Sequence, residues 1–147
     1  MASISLCMIV KNEEDVLTRC LEGVRGFVDE IVIVDTGSQD RTRQVAEKYT
    51  DKIYDFPWDD DFSAARNYGL EKATKEYCMW LDADDVILPE EAEKIQRLKK
   101  ILPKDVDTVM IKYATAFDEW GRPSFTYYRE RILKNCSQCR FQGRVHE

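Results

Sequence analysis

The sequence predicts a three-layer α/β/α protein on a mostly parallel sheet, with an antiparallel hairpin toward its C-terminal side. Three observations lead there. Short apolar runs alternate with segments of helical spacing up to Leu102, the order that builds a parallel sheet through crossover helices. Those runs are continuous rather than alternating, as in strands covered on both faces. After Pro103 the period changes to two, as in a hairpin with one half-exposed face.

Leu6-Cys7-Met8-Ile9-Val10 is the first buried strand. Val16, Leu17, Cys20, Leu21 and Val24 follow at helical spacing, with Asn12 and Glu14 as possible caps. Ile31 to Val34 form the second strand, ending at Asp35. The stretch from Gly37 to Asp40 reads as a βα turn: Gly37 permits the tight backbone, and Asp40 or Ser38 caps a helix carrying Thr42, Val45, Ala46 and Tyr49. Lys52 to Phe56 make a third strand, ended by Pro57. Ser63 is the expected N-cap of a helix reaching about Lys75. Tyr77 to Leu81 form the fourth strand, ending at Asp82. Pro89 suits the first turn of a helix with Ala92, Ile95, Leu98 and Leu102 inward. Val109, Ile111, Tyr113, Thr115 and Phe117 alternate along the next strand. Asp118 to Pro123 turn the chain, a second strand runs through Phe125 and Tyr127, and a separate third segment lies near Arg131 to Lys134. The layout is Rossmann-like.

A chain of 147 residues suits one domain, residues 1–147. Its end at Val145-His146-Glu147, with no terminal helix, reads as a boundary inside a longer protein. Lysine and arginine total 22 against 28 acids, giving a net charge of -6. That balance argues against broad nucleic-acid binding, which needs a basic face. A phosphate ligand stays open, because a divalent cation can bring positive charge to it. No run of about 18 apolar residues occurs, and the N-terminus lacks the basic and apolar regions of a signal peptide; a cytoplasmic location is the expectation. Of the five cysteines, Cys7, Cys20 and Cys78 sit in apolar runs and read as core. Cys136 and Cys139 form the one C-x-x-C. Zinc needs about four ligands and there is no second pair, so a reduced pair is expected.

Ligands of parallel sheets sit beyond the carboxyl ends of the strands, where Asp35 and Asp82 both fall. Asp82, Asp84 and Asp85 repel one another unless something cationic binds, and oxygen ligands suit Mg²⁺ or Mn²⁺. The bland alternative is an acidic loop that helps start the next helix. Asp35 can accept from a base N–H or a ribose hydroxyl. Arg66, early in a helix, can meet phosphate with charge and a fork of donors, or simply pair with one of Asp59 to Asp61. Val10 to Glu13 occupy another strand end on the same crevice. His146 is the only histidine, and alone it says little.

Met8-Ile9-Val10-Lys11-Asn12-Glu13-Glu14, Val34 to Asp40, Phe62-Ser63-Ala64-Ala65-Arg66-Asn67, Trp80-Leu81-Asp82-Ala83-Asp84-Asp85 and Phe141 to Glu147 resemble, in order and spacing, family 2 glycosyltransferases of GT-A fold. They are especially similar to a bacterial subgroup whose transferase domain precedes tetratricopeptide-type repeats. The resemblance covers nearly the whole chain. It implies a nucleotide-binding part over about residues 1–102 and an acceptor-side part over about 103–147. Val10, Asn12 and Asp35 would border base and ribose, with Glu13 close by. Arg66, and Arg131 less directly, would approach the diphosphate. Asp82 would contact ribose or metal, and Asp84 and His146 would ligate Mn²⁺ or Mg²⁺. The implied reaction is inverting transfer from a nucleotide sugar, by family habit a UDP-sugar, to a glycan, lipid or peptide acceptor. Glu147, Asp118 and Glu119 are the candidate bases.

Three other functions fit parts of this pattern. A module that holds nucleotide but has lost transfer, or serves as a scaffold in a longer protein, is one, and the complete acidic cluster and His146 speak against so degenerate a site. A sugar nucleotidyltransferase would place a glycine-rich basic loop where Lys11-Asn12-Glu13-Glu14 stands. A phosphatase with an aspartate nucleophile would carry its D-x-D after the first strand rather than the fourth.

Overall fold

The computed structural model describes residues 1–144. Ten elements follow in order: β1 (Ile4–Val10), α1 (Leu17–Val24), β2 (Glu30–Asp35), α2 (Thr42–Glu47), β3 (Ile53–Asp55), α3 (Phe62–Lys72), β4 (Tyr77–Trp80), α4 (Pro89–Ile101), β5 (Thr108–Phe117) and β6 (Pro123–Lys134). The six strands form one sheet in the order β3-β2-β1-β4-β6-β5. The first four are parallel, and β6 runs antiparallel to both β4 and β5.

The continuous apolar runs are buried because helices cover the sheet. Leu6, Met8 and Ile33 pack with Leu17, Cys20, Leu21 and Val24 of α1. On the other face, Cys7, Val32 and Cys78 pack with Leu70 of α3. Burying each large aliphatic side chain contributes about 1.5–3 kcal/mol, so these clusters dominate the fold.

Two local expectations change. Ser63 does not cap α3. Asp61 does, its carboxylate accepting the Ala64 N–H at 3.0 Å, because the helix begins two residues earlier, at Phe62. Ser63 instead donates to the Gly143 carbonyl. Nor do Asn12 and Glu14 cap α1, whose N-cap Val16 has no side-chain bond. They stitch the β1–α1 loop to the β2–α2 loop: Asn12 Oδ1 accepts Gln39 N–H at 2.8 Å, and Glu14 Oε2 accepts Arg41 N–H at 3.0 Å. Asn12 takes a positive φ of 54° to do so, a conformation that asparagine tolerates.

The largest difference lies in the hairpin. The two expected segments, around Phe125 and around Arg131, are one strand of 12 residues. Register shifts near Val109 and between Ala114 and Phe117 break the alternation that would have marked it. The inner part of β6 inserts between β4 and β5, so Arg131 and Ile132 are buried while Pro123 to Tyr128 stay exposed.

Candidate active site

β1, β2 and β4 end at one edge of the sheet, and a crevice of about 580 Å³ opens there. Val10, Glu13, Thr36, Arg66, Asp82 and Asp84 are among its lining residues. Trp58 and Phe62 form an aromatic wall, their rings 4.8 Å apart and edge to face.

The acidic turn after β4 is held from below. Asp85 is buried. Its Oδ2 accepts the Asp82 N–H at 2.9 Å and Nη1 of Arg131 at 3.2 Å. Asp85 N–H in turn donates to the Asp82 carbonyl at 3.0 Å. Arg131 is only 3% exposed and lies 4.2 Å over Trp80 and 4.8 Å over Tyr113. The structure therefore places Arg131 beneath the turn rather than on the crevice surface. Arg66, on α3, reaches the turn from the side. Its Nη2 meets Asp82 Oδ1 at 2.8 Å, with its guanidinium 4.6 Å over Trp80 and 5.5 Å over Phe141.

The three carboxylates thus differ. Two already face an arginine, so their repulsion, inferred from the sequence, is partly relieved within the protein. Asp84 is exposed, and among the described residues its carboxylate accepts no hydrogen bond. Each of Asp82, Asp84 and Asp85 can offer an oxygen ligand within 4.8 Å of the others. That oxygen-only set fits a hard divalent cation at Asp84 and Asp82, with Asp85 committed to the turn. Glu13 responds to the same cluster: burial first, then the charges of Asp84, Asp40 and Asp82, push its carboxyl above the usual range.

Asp35 is buried at the end of β2, and its Oδ1 accepts Gly37 N–H at 3.0 Å and Ser38 N–H at 2.8 Å. These bonds shape the turn that follows β2. Asp118 lies elsewhere. It closes the β5–β6 turn, accepting from the backbone of Trp120 and Arg122 and from Arg122 Nε. Those bonds, the Arg122 N–H first, hold its carboxyl below the usual value, which disfavours a proton acceptor. Glu119 is exposed in the same turn. His146 and Glu147 lie outside the described residues.

Trp80 enters the sequence reading as part of the fourth strand and of the Trp80 to Asp85 motif, with no role of its own. Arg66, Arg129 and Arg131 all stack near it, and its indole N–H donates to the Glu130 carbonyl at 2.6 Å. Its position just before Leu81-Asp82 was the available signal. Trp58 was missed for a simpler reason, since a loop tryptophan has no periodicity to read.

Comparisons with known proteins agree on this architecture. The chain is 36% identical over 147 residues to a TPR repeat-containing protein of Synechococcus elongatus, covering all of this chain and 35% of that one. It is 30% identical over 154 residues to the glycosyltransferase SunS of Bacillus subtilis, covering 99% of this chain and 34% of SunS. The chain spans about a third of the length of these curated relatives. Among solved structures, S. aureus TarS in complex with UDP-GlcNAc superposes with a TM-score of 0.56 at 25% identity, over 67% of this chain and 31% of that one. Residues 5–144 match the model of the family described as glycosyl transferase family 2, and the chain belongs to that family, with its GT-A fold.

Proposed function

We propose that this domain binds a nucleoside-diphosphate sugar, a UDP-sugar, in the crevice beyond β1, β2 and β4, and transfers the sugar with inversion to an acceptor hydroxyl or other nucleophile. The observation that carries this reading is the crevice itself. It is lined by Val10, Lys11, Glu13 and Thr36, on two loops that Asn12 stitches together, and by Arg66, Asp82 and Asp84. Its volume of about 580 Å³ suits a ligand of this size. TarS, with UDP-GlcNAc bound, supports the choice of uridine.

Each residue then has a task. Val10, Asn12 and Asp35 border base and ribose, with Glu13 close by. Arg66 sets its cationic fork against the diphosphate, and Asp82 orients both Arg66 and the ribose side. Asp84 and Asp82 would hold Mn²⁺ or Mg²⁺, joined by His146. When bound, that ion neutralises charge on the departing diphosphate. Arg131 acts by holding Asp85, not by touching phosphate. A carboxylate takes the proton from the acceptor nucleophile as it attacks the anomeric carbon. With Asp118 tied into a turn and Glu119 exposed in that same turn, we take Glu147 as the base. Phe62 N–H donates to the Arg144 carbonyl at 2.9 Å, which ends the described chain at the start of α3, beside the crevice wall. Among the described residues no helix is long and apolar enough to cross a membrane. A repeat region following this domain, as the TPR repeat-containing relative suggests, would present the acceptor.

The test is thermal denaturation of the chain with UDP-sugars, with and without Mn²⁺. Binding to the native state alone raises the melting temperature through mass action. The expected outcome is a shift with UDP-sugar that grows with the metal. If no nucleotide sugar moves the transition under either condition, the donor-site reading fails. Pyrophosphate release from a nucleoside triphosphate and a sugar phosphate would turn the assignment to nucleotidyl transfer.

A further inference from the structure

The C-x-x-C lies outside the crevice, on the turn that leaves β6. Cys139 N–H donates to the Cys136 carbonyl at 3.2 Å, folding the four residues back on themselves. The two Sγ atoms stand 3.1 Å apart. Both ends of the turn are anchored. Asn135 Nδ2 donates to the carbonyls of Ala73 and Lys75 at 3.1 and 2.9 Å. Phe141 is clamped by Asn67, whose amide accepts the Phe141 N–H at 2.8 Å and donates to its carbonyl at 2.9 Å. Arg140 Nη1 donates to both the Cys136 and Cys139 carbonyls, at 2.7 and 2.8 Å.

This backbone holds the sulfurs in place rather than leaving two thiols on a free loop. A disulfide bond is about 2.05 Å long, so closing it needs a movement of only about 1 Å. Both cysteines are partly exposed, whereas Cys7, Cys20 and Cys78 are buried. Among the described residues, no third His, Cys, Asp or Glu joins the pair in a metal-ligand group, which leaves half of a zinc site.

We propose that Cys136 and Cys139 form a reversible dithiol–disulfide site, oxidised by low-molecular-weight disulfides, that locks the turn feeding the Phe141 clamp. The Cys136 thiolate attacks one sulfur of the small disulfide, forms a mixed disulfide and releases one thiol. Cys139 gives up its proton and attacks the Cys136 sulfur. The Sγ–Sγ bond forms and the second small thiol leaves with that proton. The protein loses two electrons and two protons, and the small disulfide is reduced to two thiols. The order of attack follows from the environment. The hydrogen bond between the two sulfurs, then the Gln138 N–H, lower the Cys136 thiol. Burial, then that same bond, pushes Cys139 up to about 11. A ring this small adds little through unfolded-chain entropy, so the decisive readout is chemical.

Trypsin cuts after Lys134 and Arg140, which puts both cysteines on the peptide Asn135 to Arg140. The reduced chain is equilibrated in glutathione buffers of increasing oxidised fraction, quenched and digested. The expected product is that peptide lighter by two hydrogens, restored by dithiothreitol, with Cys7, Cys20 and Cys78 still alkylated after unfolding. Cys139→Ser should trap one glutathione on Cys136, faster than Cys136→Ser traps it on Cys139. In the oxidised chain, amide exchange at Phe141 should slow. Both thiols remaining alkylatable in oxidised buffer would overturn the proposal, and so would a wild-type chain that stops at the mixed disulfide. Unchanged exchange at Phe141 would remove the locking role.

Discussion

Two turns in this molecule are built from the same chemistry and do different work. After β4, Asp85 accepts a backbone N–H and an arginine. Between β5 and β6, Asp118 accepts two backbone N–H groups and an arginine. The difference lies in where the arginine comes from and how dry the pair is. Arg131 arrives from a strand 46 residues along the chain, and the pair's side chains are 4% and 7% exposed. Arg122 is a neighbour four residues away, 69% exposed. A local, solvated pair shapes its own turn and little else. A buried, long-range pair fixes a turn relative to the rest of the sheet, and so fixes whatever that turn presents. Here it presents Asp84 to the crevice.

The strongest test of this contrast separates what the acidic turn presents from what holds it. Asp84→Ala should abolish the metal-dependent part of the UDP-sugar thermal shift while leaving the ligand-free melting temperature nearly unchanged, because the Asp84 carboxylate has no described partner to lose. An equal metal effect in wild type and variant would remove Asp84 from the metal site. Next, Arg131→Met should cost about 3–5 kcal/mol in denaturant unfolding, since it strands the Asp85 carboxylate in a dry site. The double change Arg131→Met with Asp85→Leu should recover much of that loss, and failure to recover it would show that the pair matters less than the packing around Trp80.

The hairpin turn should respond weakly and in acid. Asp118 has a folded-state value held below its unfolded one. Its contribution is therefore fully present above the unfolded value of about 4 and is lost as pH falls toward the lower folded value. Asp118→Asn should lower the melting temperature at neutral pH, with the gap to wild type closing in acid. A gap that persisted at the lowest pH would mean the carboxylate charge is not what the turn uses. The smallest effect belongs to Arg122→Ala, expected at less than about 1 kcal/mol for so exposed a pair and falling further with salt. A larger, salt-insensitive loss would make the two turns alike and break the comparison.

The core of the fold was legible because its signals are local. Continuous apolar runs at Leu6 to Val10 and Ile31 to Val34 mark strands covered on both faces, and Pro89 does open α4. Asp35 and Asp82 could be put at strand ends because a parallel sheet with crossovers has one carboxyl edge. The start of α3 was not legible, since Asp61 and Ser63 are both good caps and the Gly143 carbonyl, far along the chain, takes the Ser63 hydroxyl. The strand β6 was read as two pieces because bulges shift its faces and its outer half is exposed on both sides.

By itself, then, the sequence determined the parallel αβ core, the carboxyl edge where ligands gather and the acidic residues that stand there, all consequences of patterns a few residues long. The tertiary structure alone decided how the three acids divide their tasks. That division depends on Arg131, which is carried between β4 and β5 by an antiparallel strand and reaches Asp85 across 46 residues of chain. No local spacing encodes that meeting. It follows from strand register and from the need to pair a buried carboxylate with a buried cation.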